Sequence, residues 1–327
     1  MNLLFVADPV ETFNQKKDST LAMMREATRR GFGVWACEPR HLQWTGGGAH
    51  AGGVRARCRH LKVVDGTSPW FVEIAQTERV LRDFDAVLMR KDPPFDAEYF
   101  NATHMLEQAE REGARVFNRP RALRDHPEKL AILEWPALIP STLVSRDVAA
   151  LRAFALAQRD VIVKPLDGMG GTGVFRLRSD HAPDANLNVT LEMLTDHGRH
   201  TIMAQRFVPE ISAGDKRVIL IDGQPVPWTL ARIPQHGDTR GNLAAGGLGV
   251  AQPLGEAEAA IAARIGPELA ARGLLLVGID VIGDRLTEIN VTSPTCFVEI
   301  HQQSGFDVAA MFIDALCARL RAPAAHD

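Results

Sequence analysis

Val161-Ile-Val-Lys164-Pro-Leu-Asp-Gly168-Met169-Gly170-Gly171-Thr-Gly173 is the stretch on which the reading of this chain turns. A short β-branched run bounded by proline and glycine predicts a strand, with Lys164 at its end and a flexible loop after it. Glycines after a strand let backbone N–H groups close on phosphate oxygens, and a lysine supplies a compact positive charge. Alone the signal is modest, because most glycine-rich loops are plain turns. It is not a Walker loop, since no Gly-Lys-Ser/Thr closes it. Nor is it a dinucleotide fingerprint, because Pro165 intervenes and no helix is expected directly after Gly173.

The second half of the pattern lies more than a hundred residues downstream. Leu274 to Val291 reads as two strands around a turn, apolar except at Asp280, Glu288 and Asn290. Carboxylates in so apolar a setting cost several kcal/mol unless paired or bound to a cation. Three hard oxygen ligands suit Mg²⁺, which takes one or two carboxylates together with substrate phosphates. The plain alternative is a sheet with one solvated face. Glu288 and Asn290 share a face because side chains alternate along a strand. A regular two-residue turn at Gly283-Asp284 would pair Asp280 with Thr287 and turn Glu288 away. The metal reading therefore demands an odd loop or a bulge that restores the register.

Length and composition bound the rest. The chain has 327 residues, enough for two or three small domains with their own cores. A formal charge of −3 and a single tyrosine give no footing for nucleic acid. No apolar run approaches the ~18 residues of a membrane span. Leu3 to Ala7 is cut short by Asp8-Pro9 and has no basic start, so no signal peptide is read there. Cys37, Cys58, Cys296 and Cys317 lack metal or disulfide spacing, and a cytoplasmic, reduced protein is expected.

The first part alternates strand and helix: strands at Leu3–Ala7, Val34–Cys37 and Ala86–Arg90, with a helix capped by Asp18 and closed at Gly31. Thr45 to Gly53 reads as a flexible surface loop. A domain boundary is placed at Arg121 to Pro127, dividing the chain into 1–124, 125–202 and 203–327. The middle unit holds a capped helix after Ser145, the Lys164 strand and the glycine loop. The last opens at Met203 and holds the strand Arg217 to Asp222, the carboxylate hairpin and the helix Glu256 to Arg272. Ile261, Ile265 and Leu269 stripe that helix, and Gly266-Pro267 is expected to kink it. Ile233 to Gly249 is too long and glycine-rich for a tight connection. With Arg232 at its entry and Arg240 midway, it reads as a charged lid.

Lys164-Pro-Leu-Asp-Gly-Met-Gly-Gly, Arg232-Ile-Pro-Gln, Arg240-Gly-Asn-Leu-Ala-Ala-Gly246-Gly247 and Glu288-Ile-Asn-Val-Thr292-Ser293-Pro-Thr-Cys296 together closely resemble the bacterial glutathione synthetases of the ATP-grasp superfamily. Lys17-Asp18-Ser, Met89-Arg90-Lys-Asp-Pro-Pro-Phe95 and Gly214-Asp-Lys-Arg217 extend the match over nearly the whole chain. The resemblance implies an α/β (α+β) fold: an ATP-grasp fold preceded by a Rossmann-like open α/β domain. It implies ligation of γ-glutamylcysteine to glycine through an acyl phosphate, with ATP split to ADP and phosphate. Two Mg²⁺ ions, with Mn²⁺ as a substitute, would sit on Asp280, Glu288 and Asn290. Lys129 and Lys164 would hold the phosphates under Gly168, Met169, Gly170 and Gly171. Gln205, Phe207 and Val208 would form the adenine hinge, and Asp215 would touch the ribose or pair with a lysine. Catalytic roles fall to Arg217, Arg232 and Lys164, and residues 233–248 would form the mobile lid. Lys17, Asp18, Arg90, Arg240, Gly246, Gly247, Thr292 and Ser293 would meet the two small-molecule substrates. Leu248 and Val298 depart from the pattern, which has basic residues at these places. A homotetramer is implied by analogy alone.

Phosphoryl transfer needs positioning and charge neutralisation more than covalent help, so no Ser-His-Asp or Cys-His set is required. His197 and His200 lack a third metal partner, and Cys296 reads as packing near the substrate. Arg90 reads either as a clamp for a substrate carboxylate or as part of a structural ion pair. Two other readings stand beside the first: an ATP-grasp ligase with a different acceptor, and an ATP-binding module without turnover.

Overall fold

The structure, a computed structural model, describes residues 1–47, 50–179, 186–235, 241, 243 and 246–322, without the side chains of residues 50 and 51. It is built on three sheets.

The first sheet grows from the N-terminal alternation. Strands β1 (Asn2–Val6), β2 (Gly33–Cys37), β6 (Ala86–Met89) and β7 (Val116–Phe117) run parallel in the order β2-β1-β6-β7. Helix α1 (Ser19–Arg29) begins where the Asp18 carboxylate accepts the Leu21 N–H at 2.7 Å, as its sequence position predicts. Beyond β2 lie three antiparallel strands, β3 (Leu42–Gly47), β4 (His50–Val63) and β5 (Phe71–Val80).

The expected loop at 45–53 is thus corrected to a hairpin, with Thr45 opposite Gly53. Its glycines mark close backbone approach rather than freedom: a Cβ on Gly52 would lie 1.4 Å from the Thr45 carbonyl oxygen. Glu112, at the end of α2 (Ala97–Arg111), anchors the hairpin by accepting from Val54 N–H (2.7 Å) and Trp44 Nε1 (3.0 Å).

After α3 (Pro120–Asp125) comes the second sheet. Strands β8 (Thr142–Ser145), β9 (Asp160–Pro165), β10 (Phe175–Arg178) and β11 (Ile202–Arg206) lie in the order β10-β9-β11-β8, all antiparallel. Helices α4 (Val148–Gln158), capped by Asp147, and α5 (Leu187–Leu194) cover it, giving a separate core around Leu151, Val161, Val163, Leu191 and Ile202. The segment at Met203, read as opening the third unit, is instead bonded between β8 and β9. Its alternate residues pack into this core, which a reading by chain order alone cannot distinguish.

The third sheet holds β12 (Asp215–Ile221), β13 (Gln224–Ile233), β14 (Leu248–Pro253), β15 (Leu276–Ile282) and β16 (Arg285–Asn290), in the order β14-β13-β12-β15-β16. Helix α6 (Glu256–Ala271) packs Ile261, Ile265 and Leu269 inward as predicted, and the helix runs on through Pro267. Helices α7 (Phe297–Ser304) and α8 (Val308–Arg321) complete the fold and pack against α1.

Side chains tie the first and third sheets together. The Asn118 amide donates to the carbonyls of Leu276 (2.7 Å) and Val291 (2.9 Å), and its oxygen accepts Leu276 N–H. Phe297 N–H donates to Ser19 Oγ at 3.2 Å. Arg90 donates to Thr20 Oγ1 (3.1 Å) and to the Pro294 carbonyl (3.0 Å).

Candidate active site

A cleft of about 200 Å³ opens between the second and third sheets. Lys164 enters it because β9 ends there, and the following loop doubles back into β10 without forming a helix. Gly170, Gly171 and Gly173 all take positive φ, which β-branched or bulky residues rarely tolerate. Gly168 to Thr172 line the cleft.

The carboxylate hairpin solves the register problem with a bulge. Its turn has two residues, yet Asp280 sits opposite Glu288 because the pairing slips between Asp280 and Val281. Asn290 stands opposite Gly278, so the three polar residues share one face. Asn290 Nδ2 lies 3.3 Å from Asp280 Oδ2. The hairpin therefore has the form that the metal reading demanded.

Arginine surrounds Asp280. Arg217 bonds both its oxygens, the Nη2–Oδ2 contact measuring 3.0 Å, and Arg232 Nη2 approaches to 2.8 Å. Burial alone would raise this carboxyl, but the two guanidiniums outweigh it and hold the group well below the usual carboxylate range. Asp215 has the opposite fate: burial pushes it up to about 6, against the pull of Arg232. One Asp215 oxygen meets Arg232 at 2.5 Å, while the other is buried with no partner among the described residues. The Asp215 partner is thus an arginine, not a lysine.

Lys129 pairs with Glu288 at 3.0 Å and donates to the Gly168 carbonyl, bridging the hairpin and the glycine loop. Lys164 Nζ reaches the Thr287 carbonyl at 3.3 Å, and burial lowers its pKa. Lys129, Lys164, Arg217 and Arg232 balance Glu128, Asp215, Asp280 and Glu288 in charge. A triphosphate entering this neutral set brings its own excess of negative charge and calls for accompanying cations.

Among the described residues, no three His, Cys, Asp or Glu side chains cluster tightly enough to cage a metal unaided. The oxygen donors of Asp280, Glu288 and Asn290 fit a hard cation shared with phosphate, and fit a fully protein-made cage poorly.

At the other end the cleft is apolar, walled by Ile162, Val174, Phe207, Val208, Ile211 and Ile282. Gln205 stands there too, its amide donating to Thr142 Oγ1 at 3.0 Å. The Arg176 guanidinium lies 3.4 Å from the Phe207 ring centroid, covering that wall.

The residues expected to meet the other substrates gather where the N-terminus of α1, the end of β6 and the 292–297 turn converge. Arg90 is buried and donates to Thr20 and Pro294, and among the described residues it makes no ion pair with a carboxylate. Burial lowers its pKa, while Asp92 and Asp18 pull the other way. Thr292 and Ser293 are buried beside it, whereas Lys17 is exposed. Cys296 is buried with its thiol pushed up by burial, a poor nucleophile.

Of the expected lid, residues 236–240, 242, 244 and 245, Arg240 among them, lie outside the described residues. Ile233 pairs with Leu248, so the 234–247 excursion starts and ends on neighbouring strands. Gly246 and Gly247 are near that base, and Gln235 Nε2 donates to the Gly246 carbonyl at 2.8 Å.

Two residues escaped the sequence reading. Glu128 lines the cleft, and its carboxylate accepts three hydrogen bonds from residues 291 and 292. Tyr99 is buried with a hydroxyl that has no hydrogen-bond partner among the described residues. A Glu directly before a candidate phosphate lysine was the only available signal for the first; nothing pointed to the second.

A cleft between two antiparallel sheets, with Lys164 from one, carboxylates from the other and Lys129 from the segment that precedes them, is the arrangement of an ATP-grasp carboxylate–amine ligase. Solved structures agree on the fold. A D-cycloserine synthetase aligns with TM-score 0.65 at 18% identity, covering 98% of this chain and 100% of that one. An ATP-grasp ligase complexed with a minimal precursor, Mg and ADP aligns with TM-score 0.61 at 17% identity, covering 98% of both. The family models for the prokaryotic glutathione synthetase N-terminal domain and ATP-grasp domain match residues 1–124 and 128–305, and the chain belongs to that family. The glutathione synthetase of Bordetella parapertussis is 55% identical, over 97% of this chain and 98% of the relative. That of Pseudomonas aeruginosa is 52% identical, over 98% and 99%.

Proposed function

We propose that the chain makes glutathione by joining γ-glutamylcysteine to glycine at the expense of ATP, through the residues gathered in this cleft. The observation that carries the site assignment is the bulged hairpin, which puts Asp280, Glu288 and Asn290 on one face opposite Lys129 and Lys164.

A free carboxylate is a poor electrophile, so the dipeptide's terminal carboxylate first takes the γ-phosphoryl group as an acyl phosphate. The glycine amine then displaces phosphate. Lys129 and Lys164 hold the triphosphate as point charges, under the backbone of Gly168 to Gly171. Arg217 and Arg232 offer planar forks to the oxygens on which charge develops. Gln205 to Val208 and the apolar wall take the base, with Asp215 and Asn290 toward the sugar and phosphates. Asp280, Glu288 and Asn290 would hold Mg²⁺, which neutralises and polarises the phosphates when bound. Lys17, Asp18, Arg90, Thr292 and Ser293 position the dipeptide and glycine. Residues 233–248, with Arg240, Gly246 and Gly247, cover the acyl phosphate and exclude water.

The division into 1–124, 125–202 and 203–327 belongs to the same proposal, except that β11 (Ile202–Arg206) goes with the middle unit; so do a cytoplasmic location and a homotetramer. No helix among the described residues is long and apolar enough to cross a membrane.

The test is ADP release measured with and without each substrate. Release that requires both γ-glutamylcysteine and glycine supports the proposal. Release with other acceptors only would move the chain to another ligase, and tight ATP binding without release would leave a binding module.

A further inference from the structure

Strand β16 ends at Asn290, and the chain turns through Val291, Thr292 and Ser293 before α7. The group that fixes this turn comes from far away in sequence. Glu128 Oε1 accepts the N–H groups of Val291 (3.0 Å) and Thr292 (3.1 Å) and the Thr292 hydroxyl (2.8 Å). The Glu128 carbonyl accepts Ile289 N–H at 3.0 Å. Its neighbour Lys129 pairs with Glu288 and donates to Gly168. Two adjacent residues therefore grip the hairpin's exit from 288 to 292, one by carboxylate and one by ammonium.

Burial and Glu288 raise the Glu128 pKa and the three bonds on one oxygen oppose that rise; bonds to an ionised carboxylate are charge-assisted, about twice as strong as neutral ones. Such a set fixes geometry more closely than a lone threonine turn would. The fixed segment leads directly to Pro294, whose carbonyl takes Arg90. A continuous line of contacts then runs from the glycine loop through Lys129 and Glu128 to Thr292, Pro294 and Arg90.

Resting on the ligase reading, we propose that Glu128 is a positioning residue. It sets the 291–294 turn so that the dipeptide carboxylate and the nucleotide's terminal phosphate are held at reacting distance. Glu128 stands on the segment between α3 and β8, outside both sheets that form the cleft, so it can register one against the other.

The experiment is a steady-state double-mutant cycle on the full-length enzyme with Glu128→Ala, Glu128→Gln and Thr292→Val, measuring kcat and the KM of each of the three substrates. Misplacement by about an ångström costs on the order of a hundredfold. Glu128→Ala is expected to lower kcat about ten- to a hundredfold and to raise the dipeptide KM more than the ATP KM, because the apolar base-binding wall is untouched. Glu128→Gln keeps an acceptor oxygen and should recover most of the loss. Thr292→Val should cost several-fold alone and little more in the Glu128→Ala background, since both act through one contact.

Full additivity of the two substitutions, or equal increases in all three KM values without rescue by glutamine, would overturn the proposal. Should Glu128→Ala fail to fold, Glu128→Gln with Thr292→Val gives the same cycle, with less than additive losses expected. An inactive wild type would instead refute the ligase reading, which keeps the two failures apart.

Discussion

Asp280 and Glu288 face each other across one hairpin, yet removing their charges should have different consequences. Asp280 is 2% exposed and bonded to two guanidiniums that are 8% and 5% exposed. Asp280→Asn keeps the shape but leaves buried cations without their counter-charge. Breaking a buried pair in this way costs about 3–5 kcal/mol. Asp215 still faces Arg232, which argues for the lower end, about 3 kcal/mol. Glu288 is 20% exposed with one ion pair, and Lys129 keeps its bond to Gly168 without it, so Glu288→Gln should cost only about 1 kcal/mol. At about 2–4 °C per kcal/mol, Asp280→Asn lowers Tm by roughly 6–12 °C and Glu288→Gln by roughly 2–4 °C, while both abolish most turnover.

The pH dependence has a definite sign. The folded pKa of Asp280 lies below its unfolded value, so its stabilisation is complete above about pH 4 and is lost as pH falls through the folded pKa. The Tm gap between wild type and Asp280→Asn is therefore constant near neutrality and narrows only in acid. Thermal melts of the three proteins, paired with ADP-release assays, read all of this. If Asp280→Asn melts within about 2 °C of wild type, the view of Asp280 as the counter-charge that holds two buried arginines is wrong.

Three further outcomes are expected. Gly278→Ala places a Cβ 2.9 Å from Arg217 Cδ and 3.1 Å from Pro294 Cβ, so it should displace Arg217 and cut kcat at least about tenfold; unchanged kinetics would remove Arg217 from the machinery. Gly266→Ala puts a Cβ 2.3 Å from the Gly223 carbonyl oxygen, where backbone cannot yield cheaply, and should cost about 1–3 kcal/mol by denaturant titration without changing any KM. Tyr99→Phe removes a buried hydroxyl that has no partner among the described residues, so the melting temperature should hold or rise slightly, and a loss above about 1 kcal/mol would mean that the hydroxyl has a partner.

Much of the site was legible because its chemistry constrains its geometry. The need for Asp280 and Glu288 on one face dictated a bulge, and the pairing slips where it must. The Asp18 cap and the α6 stripe follow from local rules and were equally readable. What escaped depends on contacts between distant segments. Nothing in Thr45 to Gly53 announces a strand, because its glycines matter only once Thr45 is opposite them. Glu128 looks like any surface glutamate until residues 291 and 292 arrive beside it. The double arginine grip on Asp280 is likewise invisible, since the three residues are separated by a β-meander that must first fold.

The Asn118, Ser19 and Arg90 bonds weld the first sheet to the third, while the second keeps a core of its own. A swing of the β8–β11 sheet as a unit is the motion this division predicts, pivoting where Met203 and Val144 pack on the core shared with the other two sheets. Spent nucleotide could leave as it lifts, while the bed for dipeptide and glycine stays assembled on the stationary half. Amide exchange should follow that division, with α4 and β10 opening without exposing β1 or β15.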